Sequence, residues 1–136
     1  MGKVAVVYWS GTGNTEIMAN CIAEGAKAKG AEVDVLTCDN FTVDMVNDYS
    51  AIAFGCPSMG AEVLEETEFQ PMWDDVKGNL GGKNIVLFGS YGWGDGEWMR
   101  IWEAEGCCSI IKSYICNEFP DADAEEACKE LGGLLA

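Results

Sequence analysis

The chain contains no histidine in 136 residues. That absence removes the usual general base, the Ser-His-Asp and Cys-His arrangements, and most metal-binding patterns. Cations are scarce too: 8 Lys and Arg stand against 23 Asp and Glu, for a net charge of −15. A surface so acidic repels nucleic acid and anionic membranes, and it favours protein partners with basic docking surfaces. No apolar run reaches the ~18 residues that span a bilayer. The first residues lead straight into the run Lys3-Val4-Ala5-Val6-Val7-Tyr8 rather than a secretory leader, so a cytoplasmic protein is the expectation. The seven cysteines are odd in number and form no CxxC pair. They are expected to be reduced thiols serving as small apolar side chains, with no disulfide framework and no zinc site.

What is present is an alternation. Hydrophobic residues make up 49% of the chain and charged residues 23%, a globular composition whose length suits one domain over residues 1–136. Residues 3–8, 32–36, 51–55, 84–89 and 109–116 read as strands. The first, third and fourth are nearly continuous apolar runs, as expected for strands covered on both faces. Between and after them, residues 15–29, 42–47, 69–79, 97–105 and 123–135 read as helices. Asp121 or Asp123 is placed to cap the last one. This order predicts an α/β fold with a parallel sheet and helices on both faces.

Three glycine-bearing loops follow strands one, three and four. Ser10-Gly11-Thr12-Gly13-Asn14-Thr15 opens the first helix, where free backbone N–H groups and the helix dipole suit a phosphate. The loop has neither the Gly-Lys-Ser/Thr of a Walker loop nor GxGxxG, and it carries no Lys or Arg. Pro57-Ser58-Met59-Gly60-Ala61-Glu62 and Ser90-Tyr91-Gly92-Trp93-Gly94-Asp95-Gly96 leave the carboxyl ends of their strands, where open parallel sheets bind ligands. Trp93 lies between glycines on a turn, which suits a planar ligand platform or a partner contact. Trp98 and Trp102, four residues apart on one helix, read as core. Glu62, Glu65, Glu66, Asp95 and Glu97 flank the second and third loops and form a candidate docking surface.

These segments resemble a known family. Tyr8-Trp9-Ser10-Gly11-Thr12-Gly13-Asn14-Thr15 is similar to the FMN-phosphate loop of the short-chain flavodoxins of the clostridial and Megasphaera type. Gly55-Cys56-Pro57-Ser58-Met59-Gly60 and Leu87-Phe88-Gly89-Ser90-Tyr91-Gly92-Trp93-Gly94 resemble that family's two isoalloxazine loops. Asn117-Glu118, before Pro120-Asp121, resembles its last ligand-side segment. The resemblance implies a flavodoxin-like three-layer sandwich with a five-stranded parallel sheet in order 2-1-3-4-5. It implies one FMN bound without a covalent link. The function it implies is low-potential, one-electron transfer between redox enzymes, shuttling between semiquinone and hydroquinone, with no catalytic residues and no metal.

Residue by residue, the resemblance implies that Ser10, Thr12, Asn14 and Thr15, with amides around Gly11 and Gly13, hold the phosphate. Met59 and Trp93 would sandwich the ring, and Glu62 would accept from flavin N3–H. Backbone N–H groups of Gly92 and Trp93 would face the pyrimidine edge. Pro57, Ser58, Gly60, Ala61, Tyr91 and Gly94 complete the two ring loops, and Ser90, Asn117 and Glu118 lie near the ring and ribityl chain.

An acidic surround without a cationic phosphate clamp disfavours further negative charge on the flavin, which predicts a low second potential. The segment 97–107 is about one helical turn shorter than is usual in the family. Ala61 stands where a more turn-tolerant residue is expected. If Gly60 and Ala61 are central in a type II turn, Ala61 needs positive φ. Ala61→Gly should then raise the first one-electron potential by roughly 40 mV or more. Two other classes stay open at this stage: an FMN-dependent reductase, and a non-redox module for another phosphorylated ligand.

Overall fold

The computed structural model describes residues 3–9, 13–57, 65, 67–91, 96–104, 110–117 and 120–136. Five strands form one parallel sheet in the order β2-β1-β3-β4-β5. They are β1 (Lys3–Tyr8), β2 (Glu32–Thr37), β3 (Ala51–Gly55), β4 (Asn84–Tyr91) and β5 (Ile110–Asn117). The helices are α1 (Asn14–Ala28), α2 (Phe69–Val76), α3 (Glu97–Glu103) and α4 (Ala122–Leu135). The expected strand order and the expected helical layers are therefore both present.

The continuous apolar runs divide between two cores because successive side chains in a strand point oppositely. Val4, Val6, Ala51, Ala53, Val86 and Phe88 face α1 and α4. Ala5, Val7, Ile52, Phe54, Ile85 and Leu87 face the other layer, beside Phe69, Trp73, Trp98 and Trp102. The register aligns Val4 with both Val33 and Ala51, which keeps each row on its face across strands. At the far edge, Ile85 pairs with Ile110 but Val86 pairs with Lys112. The extra residue is Ile111, which the bulge leaves 44% exposed.

On the first face, α1 and α4 approach backbone to backbone. A Cβ on Gly132 would lie 1.9 Å from the carbonyl oxygen of Ile22, and one on Gly25 would lie 1.9 Å from that of Lys129. Ala19, Ala23, Ala26 and Cys128 fill the remaining seam. Asp121 caps α4, accepting from the Ala124 amide at 2.8 Å, as one of the two expected alternatives.

The helix expected over residues 42–47 is not an α-helix. The chain forms two short 3-10 segments, Cys38–Asn40 and Val43–Asp48. β-Branched Val43 and Val46, and Asp44, Asn47 and Asp48, which compete for backbone partners, leave little to hold longer α-helical turns. Phe41, Val46 and Tyr49 still pin the stretch to the core. Similarly, the helix expected over 69–79 is α-helical only to Val76 and closes as a 3-10 turn. The five described cysteines, at positions 21, 38, 56, 116 and 128, are buried thiols; Cys107 and Cys108 lie outside the described residues. Burial pushes the Cys38 and Cys128 thiols up to about 12, so both stay protonated and inert.

Candidate functional site

The carboxyl edge of the sheet is where the three loops must meet, because parallel strands emerge there side by side. Of the nominated residues, Gly13, Asn14, Thr15, Pro57, Ser90, Tyr91 and Asn117 fall among those described. Ser10, Gly11, Thr12, Ser58, Met59, Gly60, Ala61, Glu62, Gly92, Trp93, Gly94 and Glu118 lie outside them. Ser90 and Tyr91 are the last residues of β4 rather than loop, and Asn117 ends β5.

α1 begins at this edge. Its N-cap is Gly13, at φ 94° in the left-handed region, a residue with no side chain of its own to cap the first turn. A Cβ there would meet nothing within 4 Å, so the position opens outward. Ile17 donates back to the Gly13 carbonyl at 3.0 Å, which fixes the turn. The result is a helix N-terminus whose first amides point at the carboxyl edge, with the dipole favouring an anion. Several described cations pair with acids. Lys3 pairs with Asp34 at 3.2 Å, Lys77 with Asp74 at 3.1 Å, and Arg100 with Glu97 at 2.6 Å. Lys27 and Lys29 stand at the opposite end of α1.

Hydrogen bonds join the three segments. Thr15, fully buried, places its hydroxyl 3.4 Å from that of Ser90, linking the first segment to the third. The Trp9 amide donates to the Gly55 carbonyl at 3.0 Å, and the Cys56 amide to the Phe88 carbonyl at 3.1 Å. The Trp98 indole N–H donates to the Cys56 carbonyl at 3.2 Å. Trp98 also packs on Tyr91, ring centroids 5.7 Å apart. Trp98 and Trp102 are 1% and 2% exposed, the core positions that their spacing indicated. The Trp9 indole, for which the sequence offered no role, donates to the Glu68 carboxylate at 2.9 Å.

One expectation is overturned. Glu65 is not a docking acid: it is 6% exposed and its carboxylate caps the start of α2. Its Oε1 accepts from the amides of Glu68 at 2.7 Å and Phe69 at 2.9 Å. Its Oε2 accepts from the Thr67 amide at 2.9 Å and from the Thr67 hydroxyl. Burial works to raise this carboxyl, but the bonds from the Thr67 hydroxyl and from the amides of Phe69, Glu68 and Thr67 outweigh it and hold the group below its ordinary range. Glu97 is exposed, as a docking residue must be, although Arg100 engages it; Glu62, Glu66 and Asp95 lie outside the described residues.

Two cavities do not coincide with the nominated residues. One of about 620 Å³ lies between the C-terminal halves of α1 and α4, at the opposite end of the sheet, lined by Glu24, Gly25, Lys29, Lys129 and their neighbours. Another, of about 280 Å³, is lined by Tyr8, Trp9, Glu16, Thr37, Cys38, Asp39 and Glu68. Its three carboxylates make it unsuited to a phosphate. Among the described residues no group of His, Cys, Asp or Glu is placed to hold a metal ion, and no helix is long and apolar enough to cross a membrane.

Residues 6–109 match the family described as Flavodoxin. The chain is 47% identical over 136 residues to "Flavodoxin" of Megasphaera elsdenii, covering 98% of each chain. It is 42% identical over 135 residues to "Flavodoxin" of Clostridium beijerinckii, covering 96% of this chain and 97% of that one. The fold superposes with a TM-score of 0.88 on the solution structure of two-electron reduced Megasphaera elsdenii flavodoxin, covering 96% of both chains at 47% identity. It also superposes, with a TM-score of 0.84, on a flavodoxin from the domain Archaea that is 28% identical, covering 98% of this chain and 96% of that one.

Proposed function

The chain belongs to the flavodoxin family, and from that premise we propose that the carboxyl edge of its sheet holds one FMN between the three loops identified in the sequence. The protein is an FMN-binding electron carrier, not an enzyme. When bound, FMN takes up and releases electrons one at a time.

The described part of this edge supports that placement. A helix N-terminus that begins at the glycine N-cap Gly13 suits a phosphate, with Asn14 and Thr15 in the first helical turn. Ser10, Gly11 and Thr12 complete that cradle in this reading. Met59 and Trp93 flank the ring, Glu62 binds the ring edge, and the amides of Gly92 and Trp93 face the pyrimidine carbonyls. Pro57, Ser58, Gly60, Ala61, Ser90, Tyr91, Gly94, Asn117 and Glu118 line the remainder.

The observation that carries this reading is the tie between Thr15 and Ser90. It links the phosphate segment to the end of β4 at one edge, within reach of a single elongated ligand. The large negative charge, with Lys3, Lys77 and Arg100 each committed to an acid, supports a low second potential, since added negative charge on the ring is repelled. The carrier acts as a monomeric single domain over residues 1–136 in the cytoplasm and docks basic faces of redox partners through exposed acids such as Glu97.

Titrating the apoprotein with FMN tests this directly. One equivalent is expected to bind with quenching of flavin fluorescence, and the loaded protein alone is expected not to turn over NAD(P)H. A protein that ignores FMN refutes the reading, and steady NAD(P)H oxidation would replace it with a reductase.

A further inference from the structure

We infer that the aromatic face is a conduit for oxidising equivalents: an electron hole formed near the carboxyl edge passes through the buried rings to Tyr49, which gives its phenolic proton to Asp34.

The rings on this face run from one edge of the sheet to the other. At the carboxyl edge Tyr91 packs on Trp98, centroids 5.7 Å apart. One turn along α3 is Trp102, whose ring stands 5.5 Å from that of Trp73. Trp73 meets Phe54 at 5.1 Å, Phe54 meets Phe41 at 6.1 Å, and Phe41 meets Tyr49 at 6.2 Å. Tyr49 precedes β3 and so lies at the amino edge. The indoles of Trp73, Trp98 and Trp102 are oxidisable and at most 2% exposed. Phe54 and Phe41 are harder to oxidise and serve as the bridge across which the electron tunnels. Trp9, half-buried and packed on the same core, offers a radical a point of entry.

The direction of travel follows from where a proton can go. Taking an electron from a buried indole leaves an unpaired buried cation, a costly state unless a base removes the N–H proton. The Trp98 N–H donates to the Cys56 carbonyl, a very weak base, at 3.2 Å. The Trp102 N–H has no acceptor among the described residues. A hole on either indole therefore stays charged and is driven onward. The Tyr49 hydroxyl instead donates to Asp34 Oδ2 at 2.8 Å. That bond holds the Asp34 carboxyl below its ordinary value, while burial and the Asp34 bond push the Tyr49 phenol up to about 12. At rest the proton is on the phenol and the carboxylate is ready to take it. Lys3 Nζ lies 5.3 Å over the Tyr49 ring and disfavours a cation there, so electron and proton leave together. The Asp34 side chain is 42% exposed and can pass the proton to water. The oxidant is a one-electron radical of the class formed when a reduced carrier meets dioxygen. It gains one electron and becomes its anion; Tyr49 loses that electron, its O–H bond breaks, and Asp34 becomes the neutral acid. The radical is thereby moved from the loop edge to the opposite edge of the sheet.

Pulse radiolysis with the azidyl radical, which oxidises indoles in preference to most other side chains, tests this on the full chain with its flavin oxidised. In the wild type the indole radical band is expected to decay as a phenoxyl radical band rises, at a rate independent of protein concentration. Tyr49→Phe keeps the ring and loses only the hydroxyl; nearly all of the phenoxyl signal is expected to vanish although Tyr8, Tyr91 and Tyr114 remain. Asp34→Asn keeps a hydrogen-bond acceptor but not the base, and is expected to slow the transfer roughly a hundredfold. Trp73→Phe removes the central oxidisable ring and is expected to slow it as well. A wild-type indole radical that decays without a phenoxyl signal overturns the inference. So does a Tyr49→Phe protein with the full signal, which places the hole on another tyrosine, and so does transfer at the wild-type rate in Asp34→Asn. Asp34 is a partly exposed surface residue, so that variant carries the test even if Tyr49→Phe or Trp73→Phe does not fold. A chain that ignores FMN would refute the carrier reading and leave this test as it stands, because the rings from Trp98 to Tyr49 lie in the core.

Discussion

The two faces of the sheet are built on different principles. Where α1 and α4 meet, the core is made largely of small residues: alanines, Cys128 and the facing Gly25 and Gly132, whose missing side chains let two helix backbones touch. Under α2 and α3 it is made of large rings. Phe54, Trp73, Trp102 and Phe69 meet edge to face in sequence, with centroids 5.1 to 5.5 Å apart. The small-residue face is sealed mainly by backbone proximity. The aromatic face also supports the loops at the carboxyl edge, and it contains polar groups that must be satisfied one by one: the Glu65 carboxylate, the Trp98 indole N–H and the Cys56 carbonyl. One face is tolerant of chemistry but not of volume; the other depends on both.

Substitutions sharpen this contrast. The largest loss is expected for Trp73→Ala, which empties the centre of the ring cluster where Trp73 is fully buried; about 4 kcal/mol is expected in denaturant unfolding. Gly132→Ala should follow at about 3 kcal/mol, because a single methyl must push Ile22's carbonyl away across the helix seam. The same substitution at Gly81, where a Cβ meets nothing within 4 Å, should move stability by no more than about 0.5 kcal/mol.

Next comes Glu65→Ala, expected to cost about 2 kcal/mol at neutral pH. The dependence on pH has a definite sign. The Glu65 carboxyl in the folded chain lies below its ordinary value of 4.5. Its contribution is therefore complete above that value and is lost as pH falls through the folded value. The stability gap between wild type and Glu65→Ala should close in acid, as read by urea melts from pH 7 downward. A gap that widened in acid would contradict the bonding described.

A smaller effect than at Glu65 is expected for Trp102→Phe. The Trp102 indole N–H is buried without a partner among the described residues, so removing it relieves an unmet donor while giving up some ring volume. A net change within about 1 kcal/mol is expected. Trp98→Phe, which abandons a hydrogen bond to the Cys56 carbonyl, should cost more.

Much of this was legible in the chain. β1, β3 and β4 announced themselves as apolar runs because both faces are covered, and the loop Ser10–Thr15 marked where α1 begins. Trp98 and Trp102 were legible as core residues from their spacing. The 3-10 segment at Val43–Asp48 was not, since a short polar stretch pinned by Phe41, Val46 and Tyr49 takes its form from tertiary packing rather than from its own periodicity. Glu65 was misread because it lies in an acidic run, Glu65-Glu66-Thr67-Glu68, where any member looks solvated. A signal was there: α2 starts at Phe69 with no Ser, Thr, Asp or Asn at its N-cap, so the cap had to come from farther upstream. At the edge of β4, Ser90 and Tyr91 read as loop because glycines follow them, yet pairing with Cys116 and Asn117 carries the strand through both.

The carrier function has one decisive test: stepwise anaerobic reduction of the FMN-loaded protein, followed by visible absorption. Two separated one-electron steps are expected, with a long-wavelength band that rises in the first and disappears in the second. A single two-electron bleaching with no such band would contradict a one-electron carrier built on this edge of the sheet.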